Sequence, residues 1–252
     1  MLRPLLYGLA ALYFVAIHLL LALMFLKTDA MEIVEKNVGV EHPRFAINHF
    51  HNEMVDYHRR LDATVPPGSI IFIGASHVQS LNVGGIANKA VNYGIGGDTI
   101  ADIMQRLPVY RSLTYAGAIV LSAGFNDLRY HARPEIVADY KRLLAALPDG
   151  VPLIMSAIMP IDEKAPEFRH WPGRTNKNIV RLNQSMTDLC AARPKCQFAD
   201  AHPMLVDRNG RLAAEFHVPD GVHLSAAGYR IWSGVLAAAL QKVQLPNTAK
   251  VQ

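Results

Sequence analysis

The sequence predicts an α/β protein: a three-layer α/β/α sandwich around a mostly parallel sheet of five strands, preceded by one transmembrane helix. Three observations lead to this prediction. From residue 69 onward, short apolar runs alternate with stretches of helical periodicity. The runs are continuously apolar, as in "IIFIG" at 70–74, which is typical of strands covered on both faces and therefore of parallel sheets. A long uncharged segment near the N-terminus is the third observation.

The N-terminal segment is apolar enough to cross a membrane. Residues 5–26 contain no formal charge and one histidine, His18. A helix of about 22 residues is roughly 33 Å long, and the hydrocarbon core of a bilayer is about 30 Å thick. The residues after the segment offer no small-x-small cleavage site, which favours an uncleaved anchor over a signal peptide.

The orientation of this anchor follows from the flanking charges. Arg3 precedes the span, and Lys27 after it is soon diluted by acidic residues, so the positive-inside rule favours an N-terminus inside the cell. We expect a single-pass protein of the plasma (inner) membrane with its main domain on the extracytoplasmic side. Cys190 and Cys196 fit this location if they form a disulfide, although two unlinked thiols are the alternative.

The chain is expected to fall into four parts. These are the anchor at 1–30, a helical connector at 31–68, the main domain at 69–245 and a tail at 246–252. In the connector, apolar residues recur near helical spacing and precede Pro66, which predicts an amphipathic helix. The apolar residues are Phe45, Phe50, Met54, Tyr57 and Leu61. Its histidines do not share a face with a carboxylate, so we expect a solvated or membrane-proximal helix rather than a metal site.

The main domain is expected to follow a strand–helix–strand order. Strands are predicted at 69–76, 89–95, 117–124, 151–158 and 195–201. Helices are predicted at 99–113, 134–147, 175–192 and 225–242. Because strand–helix–strand units connect with a right-handed crossover, these elements give a sandwich with helices on both faces of the sheet.

Composition is consistent with a globular domain and does not point to nucleic acid as a partner. The chain has 252 residues, of which 51% are hydrophobic and 18% charged, with a formal net charge of +4. A sizeable core is therefore possible, and global disorder is not expected. Lysines and arginines are scattered without a basic run, so nucleic-acid binding is not indicated.

Small and polar residues follow the predicted strands at their carboxyl ends. Ser76 ends the first run, a glycine-rich stretch at 94–98 ends the second, and Asn126 follows the third. The stretch "DGVH" at 220–223 comes after the fifth run and a loop. Ligands of open parallel sheets lie beyond the carboxyl ends of the strands, so these residues are expected to meet at one edge.

These residue types predict nucleophilic catalysis by serine. A serine hydroxyl attacks a carbonyl when a base removes its proton and a third group orients that base. Asp220 and His223, three residues apart, can supply the orienting carboxylate and the base. Amide donors for the oxyanion can come from glycine-rich strand ends and a side-chain amide, for which Ser76, Gly97 and Asn126 are the candidates.

The chain resembles the SGNH hydrolases, also called GDSL esterases and lipases. Four blocks carry the resemblance over residues 69 to about 242, in order: Gly74-Ala75-Ser76, the stretch 92–99, the stretch 124–127 and the stretch 220–223. The resemblance implies Ser76 as nucleophile, His223 as general base and Asp220 as its orienting acid. It also implies an oxyanion hole of Gly97, Asn126 and the Ser76 amide. One departure is Ala75, where the family usually has aspartate, which puts the geometry of the turn in question.

Competing motifs are weaker. Ser76 lacks the second glycine of a GxSxG elbow, and Gly94-x-Gly96 lacks the third glycine of a dinucleotide fingerprint. Asp98 and Asp127 are more typical of turn and helix caps than of catalytic acids. The alternative bases His202 and His217 have no acid placed as Asp220 is. We expect no metal and no cofactor.

The long segment 159–174 is expected to shape a substrate pocket, with Trp171 and His77 as tentative substrate-binding residues. The function expected from the sequence is a membrane-anchored serine esterase. It would cleave a carboxylic ester or thioester, such as an acetyl ester of an envelope polysaccharide or a lipid ester. The alternatives are an O-acyltransferase with the same triad and a catalytically inactive envelope-binding relative. The partners expected are a small-molecule, glycan or lipid ester and the membrane through residues 5–26, and the sequence indicates no oligomeric state.

Overall fold

The computed structural model describes residues 7–8, 12–20, 49–165 and 173–243. It divides the chain into two units, Met1–Ile47 and Asn48–Gln252. In the first unit, residues 12–20 are helical. Within the described ranges, no helix is both long and apolar enough to span a bilayer. The span expected at 5–26 lies only partly within those ranges and stays a prediction, and the tail at 246–252 lies outside them.

The second unit is built on a five-stranded sheet in the order β2-β1-β3-β4-β5. All four neighbouring pairs are parallel. The strands are β1 (Ile70–Gly74), β2 (Ala90–Gly94), β3 (Ala118–Ser122), β4 (Leu153–Ser156) and β5 (Cys196–Ala199). The parallel five-stranded sheet confirms the prediction from the apolar runs, each of which contains one of these strands.

Seven α-helices are described in this unit, with short 3₁₀ turns between some of them. They are α1 (His49–Asp62), α2 (Ser76–Gln79), α3 (Ile100–Arg106), α4 (Arg133–Ala146), α5 (Asn176–Ala191), α6 (His202–Leu205) and α7 (Ala226–Lys242). The predicted helix at 99–113 is shorter than expected, because Pro108 follows Arg106 closely and the chain continues in 3₁₀ turns.

Helices cover both faces of the sheet. Ile71 and Ile73 of β1 belong to a core that also includes buried side chains of α3, α4 and α5. Ile70 and Phe72 of the same strand belong to a second core with residues of α2, α6 and α7, which includes the fully buried Trp232. Successive side chains of a strand point to opposite faces, so a strand buried on both sides must be apolar throughout. The three-layer sandwich is therefore confirmed.

Helix α1 differs from the prediction for the connector. Its buried face is polar: His51, His58 and Asp62 are almost fully buried, whereas Phe50 and Tyr57 of the predicted apolar face are 44% and 52% exposed. The expectation of a solvated helix is wrong for this buried face, because its polar side chains form hydrogen bonds inside the domain. Leu61 of the same helix packs against the core. Phe45 lies outside the described residues.

The hydrogen bonds of α1 reach strand β2 and the segment between α3 and β3. Asp62 accepts hydrogen bonds from the Tyr93 hydroxyl at 2.8 Å and from the Arg111 amide at 2.8 Å. The His58 Nδ1 lies 3.1 Å from the Tyr110 hydroxyl. Burial, together with the charge of nearby Arg106, lowers the pKa of His58 to about 4, so that this imidazole is neutral at pH 7.

A disulfide links Cys190, at the end of α5, to Cys196, at the start of β5. Of the two alternatives that the sequence left open, the structure has the bridge. It fixes the tight connection between the helix and the edge strand.

Candidate active site

Ser76 lies directly beyond the carboxyl end of β1, as the first residue of the short helix α2. Glycines make the approach to this turn possible. A Cβ on Gly74 would lie 2.2 Å from the Ser122 carbonyl oxygen, and one on Gly94 would lie 2.2 Å from the Gln79 nitrogen. Any larger residue at either position would push the strand ends away from the turn. The sequence therefore allows β1, β2 and α2 to meet closely at the serine.

The turn forms without the aspartate that usually precedes the serine. Ala75 occupies the N-cap position of α2 and makes no side-chain cap bond. The backbone closes the turn instead, since the Gln79 amide donates to the Ala75 carbonyl at 3.0 Å and the Ser80 amide donates to the Ser76 carbonyl at 3.1 Å. Ala75 is thus compatible with the geometry that the sequence left in question.

Ser76, His223 and Asp220 form a continuous hydrogen-bonded chain. The His223 Nε2 lies 2.9 Å from the Ser76 Oγ, and its Nδ1 lies 2.5 Å from the Asp220 Oδ2. A carboxylate only accepts, so Nδ1 carries the proton and Nε2 is left to accept the serine proton. This is the arrangement required of a nucleophile, a general base and its orienting acid.

Asp220 is held as a carboxylate by its own turn. The backbone amides of Val222 and His223 donate to its Oδ1 at 2.8 and 2.9 Å. Partial burial raises the pKa of Asp220, but the hydrogen bonds from the His223 ring and these two amides outweigh it, and the net pKa lies below the ordinary value. Gly221 adopts a φ of +72°, which glycine accepts and which shapes this turn.

The glycine-rich turn after β2 lies against the nucleophile. A Cβ on Gly96 would lie 3.7 Å from the Ser76 Cβ, and the Gly96 amide donates to the Gln79 Oε1 at 2.6 Å. Gly97 has a φ of +88°, and no atom lies within 4 Å of the position that its Cβ would take. The Gly97 position therefore has open space around it, and it follows directly on Gly96, which contacts the serine turn.

The Asn126 side chain is tied to the same turn. Its Nδ2 donates to the Asp98 carbonyl oxygen at 3.0 Å, and its Oδ1 accepts a hydrogen bond from the Arg174 guanidinium at 2.9 Å. Since Asp98 follows Gly97 directly, the structure brings both predicted oxyanion residues into one hydrogen-bonded unit. The second proton of Nδ2 is available to a ligand.

Asp98 and Asp127 are buried beneath this unit. Asp127 accepts a hydrogen bond from the Ile100 amide at 3.1 Å and so caps α3, as predicted, and burial raises its pKa to about 7. Asp98 instead pairs with Arg106 at 2.7 Å and with His51 at 2.9 Å. Burial raises the pKa of Asp98 to about 6, although Arg106 and His51 act in the opposite direction.

The remaining predicted residues are placed as follows. His77 donates from Nε2 to the Val222 carbonyl at 3.1 Å and so supports the turn that carries His223. Burial is the main cause that lowers the pKa of His77 to about 4, and the nearby His223 ring acts in the same direction. His217 contacts the Val218 carbonyl at 2.6 Å, and the imidazole at the serine is His223. Trp171 lies outside the described residues, so its substrate-binding role stays a prediction.

Sequence reasoning missed three residues that support the site. Arg174 holds the Asn126 oxygen, Gln79 holds the Gly96 amide, and Arg106 donates to the Gly74 and Tyr93 carbonyls near the ends of β1 and β2. Of the three, only Gln79 could have been suspected from the sequence, because it lies three residues after Ser76, on the same helical turn. The two arginines are distant in sequence from the residues that they hold.

The fold and this chain of contacts define a class, the α/β/α proteins with a Ser–His–Asp triad at the carboxyl edge of a parallel sheet. Within that class, a family model described as "GDSL-like Lipase/Acylhydrolase family" matches residues 74–231. The chain belongs to this family, which confirms the resemblance seen in the sequence.

Known relatives and structures agree with this assignment. The platelet-activating factor acetylhydrolase IB subunit alpha1 of Bos taurus is 24% identical over 166 residues, which cover 64% of this chain and 69% of the relative. A GDSL-like lipase from Bacteroides thetaiotaomicron superposes with a TM-score of 0.62 at 20% identity, over 75% of this chain and 98% of that one. A catalytic mutant of an acetylxylan esterase from Geobacillus stearothermophilus superposes with a TM-score of 0.53 at 16% identity, over 69% of this chain and 95% of that one.

Proposed function

We propose that this protein is a serine esterase that cleaves a carboxylic ester or thioester through an acyl-enzyme. The observation that carries the proposal is the unbroken contact from Asp220 through His223 to Ser76, with distances of 2.5 and 2.9 Å. Membership of an acylhydrolase family supports the same chemistry.

The acylation step uses the triad as one proton path. The Ser76 Oγ attacks the ester carbonyl carbon while its proton passes to the His223 Nε2, and the carbonyl π electrons move to oxygen. The Asp220 carboxylate stabilises the imidazolium that forms. Donors at Asn126, Gly97 and the Ser76 amide stabilise the oxyanion.

The acyl-enzyme then forms and breaks down. The tetrahedral intermediate collapses, the bond to the alcohol oxygen breaks, and His223 returns the proton to that oxygen. Water next gives a proton to His223 and attacks the acyl carbon. The bond from that carbon to the Ser76 Oγ then breaks, and His223 returns the proton to Oγ, which releases the acid and restores the Ser76 hydroxyl. The triad and water supply every proton transfer in these steps.

A short acyl group, such as acetyl, is the substrate class that we favour. The glycine turn packs closely against the nucleophile, since a Cβ on Gly96 would lie 3.7 Å from the Ser76 Cβ. One relative is named as an acetylhydrolase and one structural neighbour as an acetylxylan esterase. An acetyl ester of an envelope polysaccharide or a lipid is the natural form consistent with the proposed location.

We also propose that the chain is anchored in the plasma membrane with this domain on the extracytoplasmic side. The uncharged segment 5–26 and its flanking charges support the anchor, and the Cys190–Cys196 disulfide is consistent with an oxidising compartment. Alkaline extraction should leave the chain in the membrane pellet. Protease added to the extracytoplasmic face should cleave the domain. Extraction into the supernatant, or full protection, would contradict this arrangement.

The test of the reaction is a series of p-nitrophenyl esters of increasing acyl length with the full chain and its Ser76→Ala variant. Acetate should be the best substrate, and the variant should lose activity by a factor on the order of 10⁴–10⁶. Unchanged turnover in the Ser76→Ala variant would contradict the proposed function. Dominant transfer of a labelled acyl group to a sugar acceptor would instead favour the O-acyltransferase alternative.

A further inference from the structure

The Asn126 side-chain amide has one orientation that its neighbours allow. Oxygen and nitrogen of an amide are told apart by their partners. A guanidinium only donates, so the atom facing Arg174 at 2.9 Å must be the oxygen. A backbone carbonyl only accepts, so the atom facing the Asp98 oxygen at 3.0 Å must be the nitrogen. Arg174 and Asp98 together fix where the remaining N–H points.

Arg174 is itself fixed against the loop that carries Asn126. Its guanidinium carbon lies 4.6 Å from the centroid of the Phe125 ring, the residue before Asn126. The arginine therefore contacts two successive residues of this loop although it lies 48 positions away in sequence. At the base of its own segment, a Cβ on Gly173 would lie 2.1 Å from the Leu128 carbonyl oxygen, so glycine allows the close approach.

The charge of Arg174 has a chemical effect on the amide. A cation that donates to Oδ1 draws electron density toward the oxygen and makes the Nδ2 protons more positive. A more positive proton is a stronger donor to an oxyanion, and it acts most strongly where negative charge develops in the transition state. A neutral donor in the place of Arg174 would orient the amide with less of this effect.

The geometry points to Arg174 as a positioning residue that orients and polarises Asn126 as an oxyanion donor. This inference rests on the proposed esterase function and adds a residue outside the four family blocks. Arg174 acts through Asn126 rather than on the substrate. Its removal should therefore lower kcat, leave KM nearly unchanged and have no further effect once the Asn126 amide is absent.

The kinetic test is a double-mutant cycle in the full chain with p-nitrophenyl acetate. Arg174→Met should lower kcat by about tenfold, less than the loss of a whole oxyanion donor, with KM changed by less than about twofold. Arg174→Lys, which keeps a charged donor, should recover part of the loss. In an Asn126→Ala background, Arg174→Met should change kcat by less than about twofold. Arg142→Met, which removes an exposed arginine paired with Asp139, is the matched control and should match the wild type.

Two kinetic outcomes would overturn the inference. Equal losses from Arg174→Met in both backgrounds would mean that the arginine acts independently of Asn126. A rise in KM at unchanged kcat would mean that it binds the substrate directly. Thermal unfolding of each variant separates either result from a general loss of structure.

A second readout does not depend on turnover. The side-chain amide resonances of Asn126, identified by their loss in Asn126→Ala, should shift in Arg174→Met and remain in place in Arg142→Met. Unmoved resonances in Arg174→Met would overturn the positioning role even in an active enzyme. If the wild type lacks Ser76-dependent turnover, the proposed function fails, and the resonances still decide whether Arg174 orients Asn126.

Discussion

Two His–Asp pairs in this molecule use the same side chains for different purposes. At the site, His223 and Asp220 lie 2.5 Å apart and their side chains are 43% and 30% exposed. Beneath it, His51 and Asp98 lie 2.9 Å apart and are 11% and 1% exposed. The residue types do not distinguish the two pairs, so the difference must lie in their other contacts.

Those contacts differ in what the remaining polar atoms face. In the exposed pair, the second ring nitrogen of His223 faces the Ser76 hydroxyl. In the buried pair, the second oxygen of Asp98 accepts from the Arg106 Nε at 2.7 Å. Arg106 in turn donates to the Gly74 carbonyl at 3.1 Å. One pair can pass a proton to a reacting group, and the other braces the strand end that carries the nucleophile.

The largest expected effect comes from removing the charge of the exposed pair. Asp220→Asn keeps an oxygen for the backbone amides but places an NH₂ group opposite the His223 Nδ1. That contact favours the wrong tautomer of the imidazole. We expect kcat to fall by about 10³–10⁴-fold with little change in Tm. Steady-state kinetics measures the change in kcat, and thermal unfolding followed by circular dichroism measures the change in Tm. Near-normal activity would mean that Asp220 does not orient His223.

The matching change in the buried pair should act on stability. Asp98→Asn leaves Arg106 buried without its charged partner, which typically costs about 3 kcal/mol. Urea denaturation of the wild type and the variant measures this difference. A variant that is fully stable yet as inactive as Asp220→Asn would contradict the assignment of Asp98 to a bracing role.

A pH dependence sharpens the comparison further. Burial raises the folded-state pKa of Asp127 to about 7 from an ordinary value of 3.8. The folded state therefore binds this proton more tightly than the unfolded state, so the contribution of Asp127 to stability falls as pH rises through 7. Asp127→Asn, which can keep the bond to the Ile100 amide, removes the titration. From pH 6 to pH 8, the free energy of unfolding of Asp127→Asn minus that of the wild type should increase by about 1–2 kcal/mol. A constant difference over that range would show that the folded-state pKa of Asp127 does not lie near 7.

The smallest effect is expected at Ala75. The backbone already closes the turn around Ser76, so Ala75→Asp should change kcat/KM on p-nitrophenyl acetate by less than about threefold. As an N-cap residue, aspartate should add at most about 1 kcal/mol to stability. A gain in activity of about a hundredfold would mean that the usual aspartate has a catalytic role that this chain lacks.

The sequence predicted those parts of the fold that depend on local patterns. Continuous apolar runs gave every strand of the sheet, and the order of polar residues at strand ends placed Ser76, Asn126 and His223 at one edge. Helix α1 was misjudged because its buried face carries His51, His58 and Asp62, and helical periodicity of apolar residues cannot reveal a face held by hydrogen bonds.

The hydrogen bonds that complete the site could not be predicted from the sequence, for a different reason. Arg174 and Asn126 are 48 residues apart, and Arg106 bonds to a strand end 32 residues before it. Neither arginine lies in a motif, and Arg106 shares the buried face of α3 with Ile100 and Ile103, where apolar periodicity predicts no charge. Such pairings arise only when the sheet order brings distant loops together. The sequence patterns therefore identified the reacting groups but not Arg174 and Arg106, whose hydrogen bonds hold the loops around them.

The most direct measurement of the central claim, that His223 activates Ser76, is covalent labelling by a fluorophosphonate, located by mass spectrometry. The full chain should carry a single adduct on Ser76. In His223→Ala the labelling rate should fall by at least about a hundredfold, because the serine then lacks its base. A folded protein that labels at another residue, never labels, or labels equally fast without His223 would contradict the account.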